Sequence, residues 1–389
     1  MKALVLEADW KPKNGYKLSP YEEKTGKAII GSSIWKKREL TLKEIEKPKP
    51  GKKDLLVKVE NCGISEPDIH FYQTDREGYI LYPGLTKFPC IIGHEFSGVV
   101  EEVGSQVNGF REGDLVTSEE IIWCGECTPC RNGYPNHCQR LEEIGFTVNG
   151  ALAEWISVGS KYCWKLNEIR KSYGSEANAL EAGALVEPTS VAYNGVFVRS
   201  GGFKPGDFVG VWGAGPIGLA AIALSKAAGA SKIFAFETKK ERRELASQMG
   251  ADHVFDPLAL KEDGSGPCKK VLELTNRQGI SMGIETAGAP MQTIPEIEKS
   301  LAINGKIVQI GRAIQRVPMY LERYQARRAQ FYGAKGHSGH GIFQSVIRLM
   351  ASKKIDMRKI VTSRFYLDHA VEAIEKASKR VNGKVLVKI

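Results

Sequence analysis

"VWGAGPIGLA", residues 211–220, decides the fold. It carries Gly213, Gly215 and Gly218 in G-x-G-x-x-G spacing, with Pro216 and Ile217 between the last two glycines. The apolar run "FVGVWG" leads into it and reads as a buried strand; "PIGLAAIALSKAAG" leads out of it and reads as a helix. In that setting the first glycine permits a tight turn. The second lets a pyrophosphate approach the backbone, and the third lets helix and strand lie close. The helix N-terminus then offers free N–H groups and the positive end of its dipole to phosphates. Glu237 ends the next strand, "KIFAFE", where an acid accepts hydrogen bonds from ribose hydroxyls and repels a 2′-phosphate. The expected cofactor is NAD rather than NADP. Lys239, Lys240 and Arg242 lie just beyond and could hold a 2′-phosphate instead, although a solvated helix start explains them as well.

Downstream the texture repeats. "KKERRELASQMG" reads as a helix and "HVFD" as a short strand, and "SMGIETAG" and "GKIVQIG" read as strands with a helical segment between. Strand–helix alternation implies a parallel sheet covered by helices. "GIFQSVIRLMAS" and "DHAVEAIEKASK" are helical, and "GKVLVKI" is a last strand. Upstream the chain is β-rich. "DLLVKVENCGI", "EFSGVVEEVG", "GDLVTS" and "AEWISV" are short strands bounded by glycine and charged turns, while residues 11–38 read as a polar, irregular excursion.

"CGECTPCRNGYPNHC" places Cys124, Cys127, Cys130 and Cys138 at C-x2-C-x2-C-x7-C. Four thiolates make a closed tetrahedral zinc site with no open position, which fixes a lobe that has no core of its own. His137 is an alternative ligand, and an iron–sulfur cluster is a second possibility for such close spacing. The four other cysteines among the eight are dispersed, so the pattern is metallic and not a secreted disulfide framework. The 389 residues carry 55 Lys plus Arg against 45 Asp plus Glu, a formal charge of +10. The bases are interleaved with acids, as in "YEEKTGK" and "KKERRE", so the charge reads as a solvated surface and no nucleic-acid partner is expected. No apolar run reaches membrane-spanning length, and the start, "MKALVLEADWKPKNG", lacks signal-peptide features; the expected location is cytoplasmic, with no membrane partner.

The order of a "CGI" turn, "GHE", the four-cysteine lobe, "EP" and G-x-G-x-x-G resembles the zinc-dependent medium-chain alcohol and polyol dehydrogenases over essentially the whole chain. The resemblance implies an α/β protein with a GroES-like β-rich catalytic domain and a Rossmann doubly wound parallel-sheet domain. It would place the first at 1–193, with the zinc lobe at about 120–142, the second at 194–336, and a C-terminal return to the catalytic domain at 337–389. Dimers and tetramers are usual in the family, so a homodimer or homotetramer is expected. Longer strings, "QTDREGYILYPGLTKFP", "IGHEFSGVV", "LVEPTSVAYN" and "GHSGHG", are similar to the scyllo-inosose dehydrogenase branch, making a cyclitol or polyol the expected substrate.

Carried over by motif, the catalytic metal would be held by His94 and Glu95 of "GHE" and Glu187 of "VEP". Two departures stand in "NCGISEPDIH", residues 61–70. Ser65 occupies the place of the family's cysteine ligand, and Pro67 the place of a hydroxyl residue that passes the substrate proton outward. Glu66 could supply a carboxylate in the thiolate's stead, giving a His and carboxylate site for zinc or another divalent metal. Asp68 matches an aspartate that orients the metal-bound imidazole. Ser65, Glu66 and His70 are the candidate catalytic proton carriers. His337 and His340 in "GHSGHG" lie either near cofactor or substrate or in an exposed loop, and Gln73, Tyr79 and Tyr82 either shape the pocket or pack. The expected activity is NAD-dependent, metal-assisted oxidation and reduction at a CH–OH carbon. A metal-free medium-chain reductase and a non-enzymatic nucleotide- or nucleic-acid-binding protein are the alternatives.

Overall fold

The computed structural model describes all residues, 1–389. The chain forms two compact units. One comprises Met1–Glu187, Ser363–Lys379 and Lys384–Ile389, and the other Pro188–Thr362 and Arg380–Gly383. The units part at 187, ahead of the expected 193, and the chain rejoins the first unit at Ser363, after the expected 337. The helix Ile342–Ala351 accounts for the later return: its Ile342, Phe343, Val346, Ile347 and Met350 are buried in the second unit.

The first unit is the β-rich one. Its hub is the strand Asp54–Gly63, buried along most of its length. One side pairs antiparallel with Glu95–Val103. On the other, residues 54–58 pair with Trp155–Gly159, and residues 61–63 pair with the C-terminal strand Lys384–Lys388. A second sheet joins Lys2–Trp10, Trp35–Glu44 and Cys90–Ile91. Residues 11–38 are more ordered than their composition suggests. They include the helix Pro20–Thr25, closed at its start by a capping box between Ser19 and Glu22. A run of aromatic contacts ties this region inward: Trp10 to Trp35 at 5.0 Å, Trp35 to Phe88 at 5.0 Å, Phe88 to Phe71 at 5.6 Å and Phe71 to Phe146 at 5.4 Å. Offset and edge-on rings at these separations add to the burial of their own surface.

The second unit holds a six-stranded, wholly parallel sheet. Its spatial order is His253–Phe255, Lys232–Phe236, Phe208–Trp212, Ile280–Glu285, Leu301–Gln309 and Gln330–Gly333. Numbered along the chain this is 3-2-1-4-5-6, the doubly wound order that places its switch point beside the strand Phe208–Trp212. The glycine loop follows that strand and opens the helix Pro216–Ala227. Gly213 sits at φ +94°, and a Cβ there would lie 2.6 Å from the Ala287 nitrogen. A Cβ on Gly218 would lie 2.0 Å from the Gly213 carbonyl oxygen, so the helix can approach the strand only because that atom is absent.

The four cysteines of the first unit converge. Cys124 Sγ lies 3.9 Å from Cys130 Sγ, and Cys127 Sγ 3.8 Å from Cys138 Sγ. Those are tetrahedral edges for a metal with bonds of about 2.3 Å to sulfur, whose ideal edge is about 3.8 Å. Backbone N–H groups already point at the sulfurs. Those of Cys127 and Glu126 each donate to Cys124 Sγ at 3.3 Å, and that of Arg140 donates to Cys138 Sγ at 3.3 Å. The first two hold the Cys124 thiol down at about 6, ready to ligate as thiolate. The residues fit the zinc expected for this lobe. Replacing Cys127 by Ser should remove one metal per chain and lower the melting temperature. Elemental analysis and thermal denaturation check both, and an unchanged metal count would contradict the assignment.

The C-terminal strand brings Lys384 into the interior, 2 % exposed. Its Nζ reaches Glu95 Oε1 at 2.7 Å and Oε2 at 2.5 Å, and donates to the Ile64 carbonyl at 3.1 Å. Removing one partner of a buried pair strands the other charge. Lys384→Met should therefore cost about 3–5 kcal/mol of unfolding free energy. Urea denaturation measures it, and a loss below about 1 kcal/mol would show that the pair is not sealed from water.

Candidate active site

The site of the first unit is built where three segments meet the hub strand. Gly63, at that strand's end, makes room for Glu95: a Cβ on Gly63 would fall 2.2 Å from Glu95 Oε2. Gly93 turns the chain at φ +87°, in a space where its Cβ would meet Leu152 at 2.7 Å and Cys62 at 2.9 Å. That turn places His94 just ahead of the strand Glu95–Val103. The imidazole lies 5.0 Å from the Phe146 ring, at the inner end of the aromatic run. Glu187 comes from the first turn of the helix Val186–Tyr193. His94, Glu95 and Glu187 are all buried, and their ligand atoms lie within 4.8 Å of one another.

The electrostatics are those of a buried, carboxylate-rich centre. Burial by itself pushes the His94 imidazole down. The carboxylates of Asp68, Glu187, Glu120 and Glu95 outweigh it, and its pKa stands above the usual value. Burial pushes the Glu95 carboxyl up, and Lys384 pulls it only part of the way back. His94 Nδ1 is buried without a hydrogen-bond partner, and so is Asp68 Oδ1. One imidazole and neighbouring carboxylates, with an imidazole nitrogen unengaged, suit a divalent metal.

The turn at 65–70 differs from what its sequence suggested. Ser65 is the N-cap of the helix Glu66–Tyr72. Its hydroxyl donates to Asp68 Oδ2 at 2.6 Å, its backbone N–H donates to the same oxygen at 2.9 Å, and Asp68 N–H donates back to Ser65 Oγ at 3.4 Å. Asp68 thus closes a capping box and makes no hydrogen bond to His94. Pro67 fits here because the first turn of a helix needs no N–H from it. Glu66 turns outward, half exposed, and pairs with His70 Nε2 at 3.2 Å. It is not among the residues that gather around His94. Tyr79 is 3 % exposed, with Lys13 and Lys36 over its ring at 4.7 and 4.9 Å, and Tyr82 packs on Phe146 at 5.2 Å.

Two residues of this centre carried no signal that the sequence reading used. Lys384 is one. Glu120 is the other: it is 7 % exposed, and one of its oxygens lies within 4.8 Å of a Glu187 oxygen. The available sign was a pair of acids set between the apolar runs "LV" and "II" in "LVTSEEIIW", where a solvated loop is a poor explanation.

In the second unit, Glu237 Oε2 accepts from the Ala214 N–H at 2.8 Å and its Oε1 from the Lys239 N–H at 2.8 Å. The acid therefore lies against the glycine loop. A Cβ on Gly215 would meet only Arg242 Nη1, at 3.6 Å, so the second glycine borders open space. A pyrophosphate fits that space, above the N-terminus of the helix Pro216–Ala227. His337 is buried in this unit with its ring 5.3 Å from Phe343, and His340 adopts φ +53°.

Comparison with known proteins identifies the family. Residues 51–168 match the alcohol dehydrogenase GroES-like domain, and residues 216–352 match the zinc-binding dehydrogenase family. The chain is 44% identical to scyllo-inosose 3-dehydrogenase of Thermotoga maritima, over 100% of this chain and 99% of that one. A solved structure from Thermotoga maritima superposes with a TM-score of 0.95 at 43% identity, covering 100% of both chains. A zinc-binding dehydrogenase structure from Sinorhizobium meliloti, bound to NADP, superposes with a TM-score of 0.78 at 26% identity over 99% of each chain. The chain is a member of the zinc-binding medium-chain alcohol and polyol dehydrogenase family, an oxidoreductase acting on CH–OH groups.

Proposed function

We propose that this enzyme passes hydride between NAD and a secondary alcohol or ketone carbon of a cyclitol, scyllo-inosose or a related keto-inositol, with sugar-like polyols as the neighbouring class. The observation that carries this reading is the buried cluster of His94, Glu95 and Glu187, within 4.8 Å of one another. The substrate class follows the relative that acts on scyllo-inosose and aligns over the full length of both chains.

In this reading His94 and Glu187 would hold a divalent metal, zinc by family, while Glu95, expected from the sequence as a third ligand, is engaged through both oxygens by Lys384. A metal so held supplies Lewis-acid polarisation of the substrate hydroxyl and lowers its pKa. The Phe146 ring fixes the plane of His94, and Asp68, locked by the cap, keeps a carboxylate facing that imidazole's surroundings. Oxidation takes a hydride from the carbinol carbon, which NAD would accept when bound, and a proton from its hydroxyl. His70 and Glu66 carry the proton onward: they pair at 3.2 Å and Glu66 is half exposed, so either can exchange with solvent. Ser65 supports the route by holding the helix start. Glu237 receives the adenosine ribose hydroxyls and disfavours a 2′-phosphate, which is why NAD precedes NADP here despite the NADP-bound relative. We read the working form as a cytoplasmic homodimer or homotetramer with no nucleic-acid or membrane partner. No helix is long and apolar enough to cross a membrane.

Steady-state assays with scyllo-inosose, other inositols and linear polyols test the reading. Turnover of scyllo-inosose with NAD should exceed that of every linear polyol. Reduction of quinones or activated alkenes without cyclitol turnover would contradict it. Glu237→Gln should raise KM for NAD about tenfold or more, the worth of hydrogen bonds to a charged group. It should also narrow the NAD over NADP preference. An unchanged ratio would remove Glu237 from cofactor choice.

A further inference from the structure

The family's thiolate position leaves this centre one donor short, and the turn that lost it does not refill it. Ser65 is engaged with Asp68 at 2.6 Å, and Glu66 with His70 at 3.2 Å. Glu95 is gripped through both oxygens by Lys384. His94 and Glu187 remain, and Glu120 is a further buried carboxylate, with an oxygen within 4.8 Å of a Glu187 oxygen.

Local structure explains why Glu120 points inward. It sits between the strands Leu115–Ser118 and Ile121–Ile122. Its neighbour Glu119 takes the other side, accepting from Trp123 Nε1 at 3.0 Å and Trp164 Nε1 at 3.1 Å. The chain bends at Glu120, which is itself buried. The Glu120 carbonyl accepts from the Ile144 N–H at 3.0 Å, which fixes the backbone. Two buried carboxylates this close favour a cation between them, since like charges in a low dielectric raise each other's energy. His94, 5 % exposed, places a ring nitrogen within 4.8 Å of a Glu187 oxygen, and the Glu120 carboxylate is among the charges that raise its pKa.

We propose that Glu120 is a metal ligand of this enzyme, joining His94 and Glu187 in a thiolate-free donor set. The metal site has thereby moved its missing donor from the helix-capping turn to the segment that leads into the cysteine lobe. Glu120 stands just ahead of Cys124, so the lobe's own metal stiffens the backbone that presents it. An oxygen and nitrogen set is harder than one with sulfur and tolerates manganese better beside zinc. This inference rests on the metal-assisted reading above.

The test is metal content and affinity, on full-length protein purified without chelator. Wild type should hold about two metals per chain, one in each site. Glu120→Gln should keep only the cysteine-bound one, with the second metal bound at least about a hundredfold more weakly by chelator titration. Glu66→Gln should keep both. Two metals in Glu120→Gln at unchanged affinity would overturn the role of Glu120 and leave the metal-assisted reading standing. One metal in wild type, after zinc and manganese have been offered, would overturn both. If Glu120→Gln does not fold, Glu120→His carries the test. Its new imidazole should keep two metals and shift the zinc over manganese preference at least about tenfold. An unchanged preference would count against ligation at residue 120.

Discussion

The buried contact between Lys384 and Glu95 is the constraint on which the catalytic unit rests. A carboxylate placed next to His94 and Glu187 would be costly to bury unless something answered its charge. The answer comes from the far end of the chain, 289 residues away in sequence. For Lys384 to arrive, the C-terminal strand must leave the nucleotide-binding unit and pair with residues 61–63 of the hub strand. The same register sets the end of the hub strand, hence the turn that follows it and the helix that Ser65 caps. One ion pair thus couples the closure of a sheet to the chemistry of the site.

The rest of the centre is arranged by backbone geometry. Gly63 and Gly93 clear the volumes that Glu95 and His94 need, and the aromatic run from Trp10 to Phe146 backs the imidazole. The turn at 65–68 illustrates what a single exchange does. A serine in the cysteine's place does not simply subtract a ligand. It forms a capping box with Asp68, and that stabilises the helix start by about 1 kcal/mol, as N-caps generally do. Serine at this position gives the helix start its cap and offers the neighbouring site no thiolate.

Local patterns were legible in the sequence and long-range ones were not. The glycine loop, its strand and helix, and Glu237 follow from spacing alone, because the steric demands on Gly213 and Gly218 act within one turn. The four cysteines were legible for the same reason. "GHE" and "VEP" named His94, Glu95 and Glu187 only through family resemblance, since nothing in their own spacing shows that they meet. Lys384 in "GKVLVKI" looks like the charged end of an edge strand, and only the register places it inside. The apolar runs around Glu119–Glu120 hint that the pair is buried, but its partners do not show locally: one of the tryptophans that Glu119 accepts from, Trp164, lies 45 residues away. "SEPD" invited a metal reading when its spacing was equally that of a cap. The sixth parallel strand, Gln330–Gly333, escaped notice because half of its residues are exposed and its composition is mixed.

The most direct measurement is a crystal structure of the enzyme as purified, with anomalous diffraction recorded on both sides of the zinc edge. The account predicts two anomalous peaks per chain. One should lie at the centre of the four cysteine sulfurs. The other should lie about 2.0–2.2 Å from a His94 nitrogen and from carboxylate oxygens of Glu187 and Glu120. A single peak, at the cysteines alone, in crystals soaked with zinc and manganese would contradict it. So would a second peak held by Ser65 or Glu66 instead.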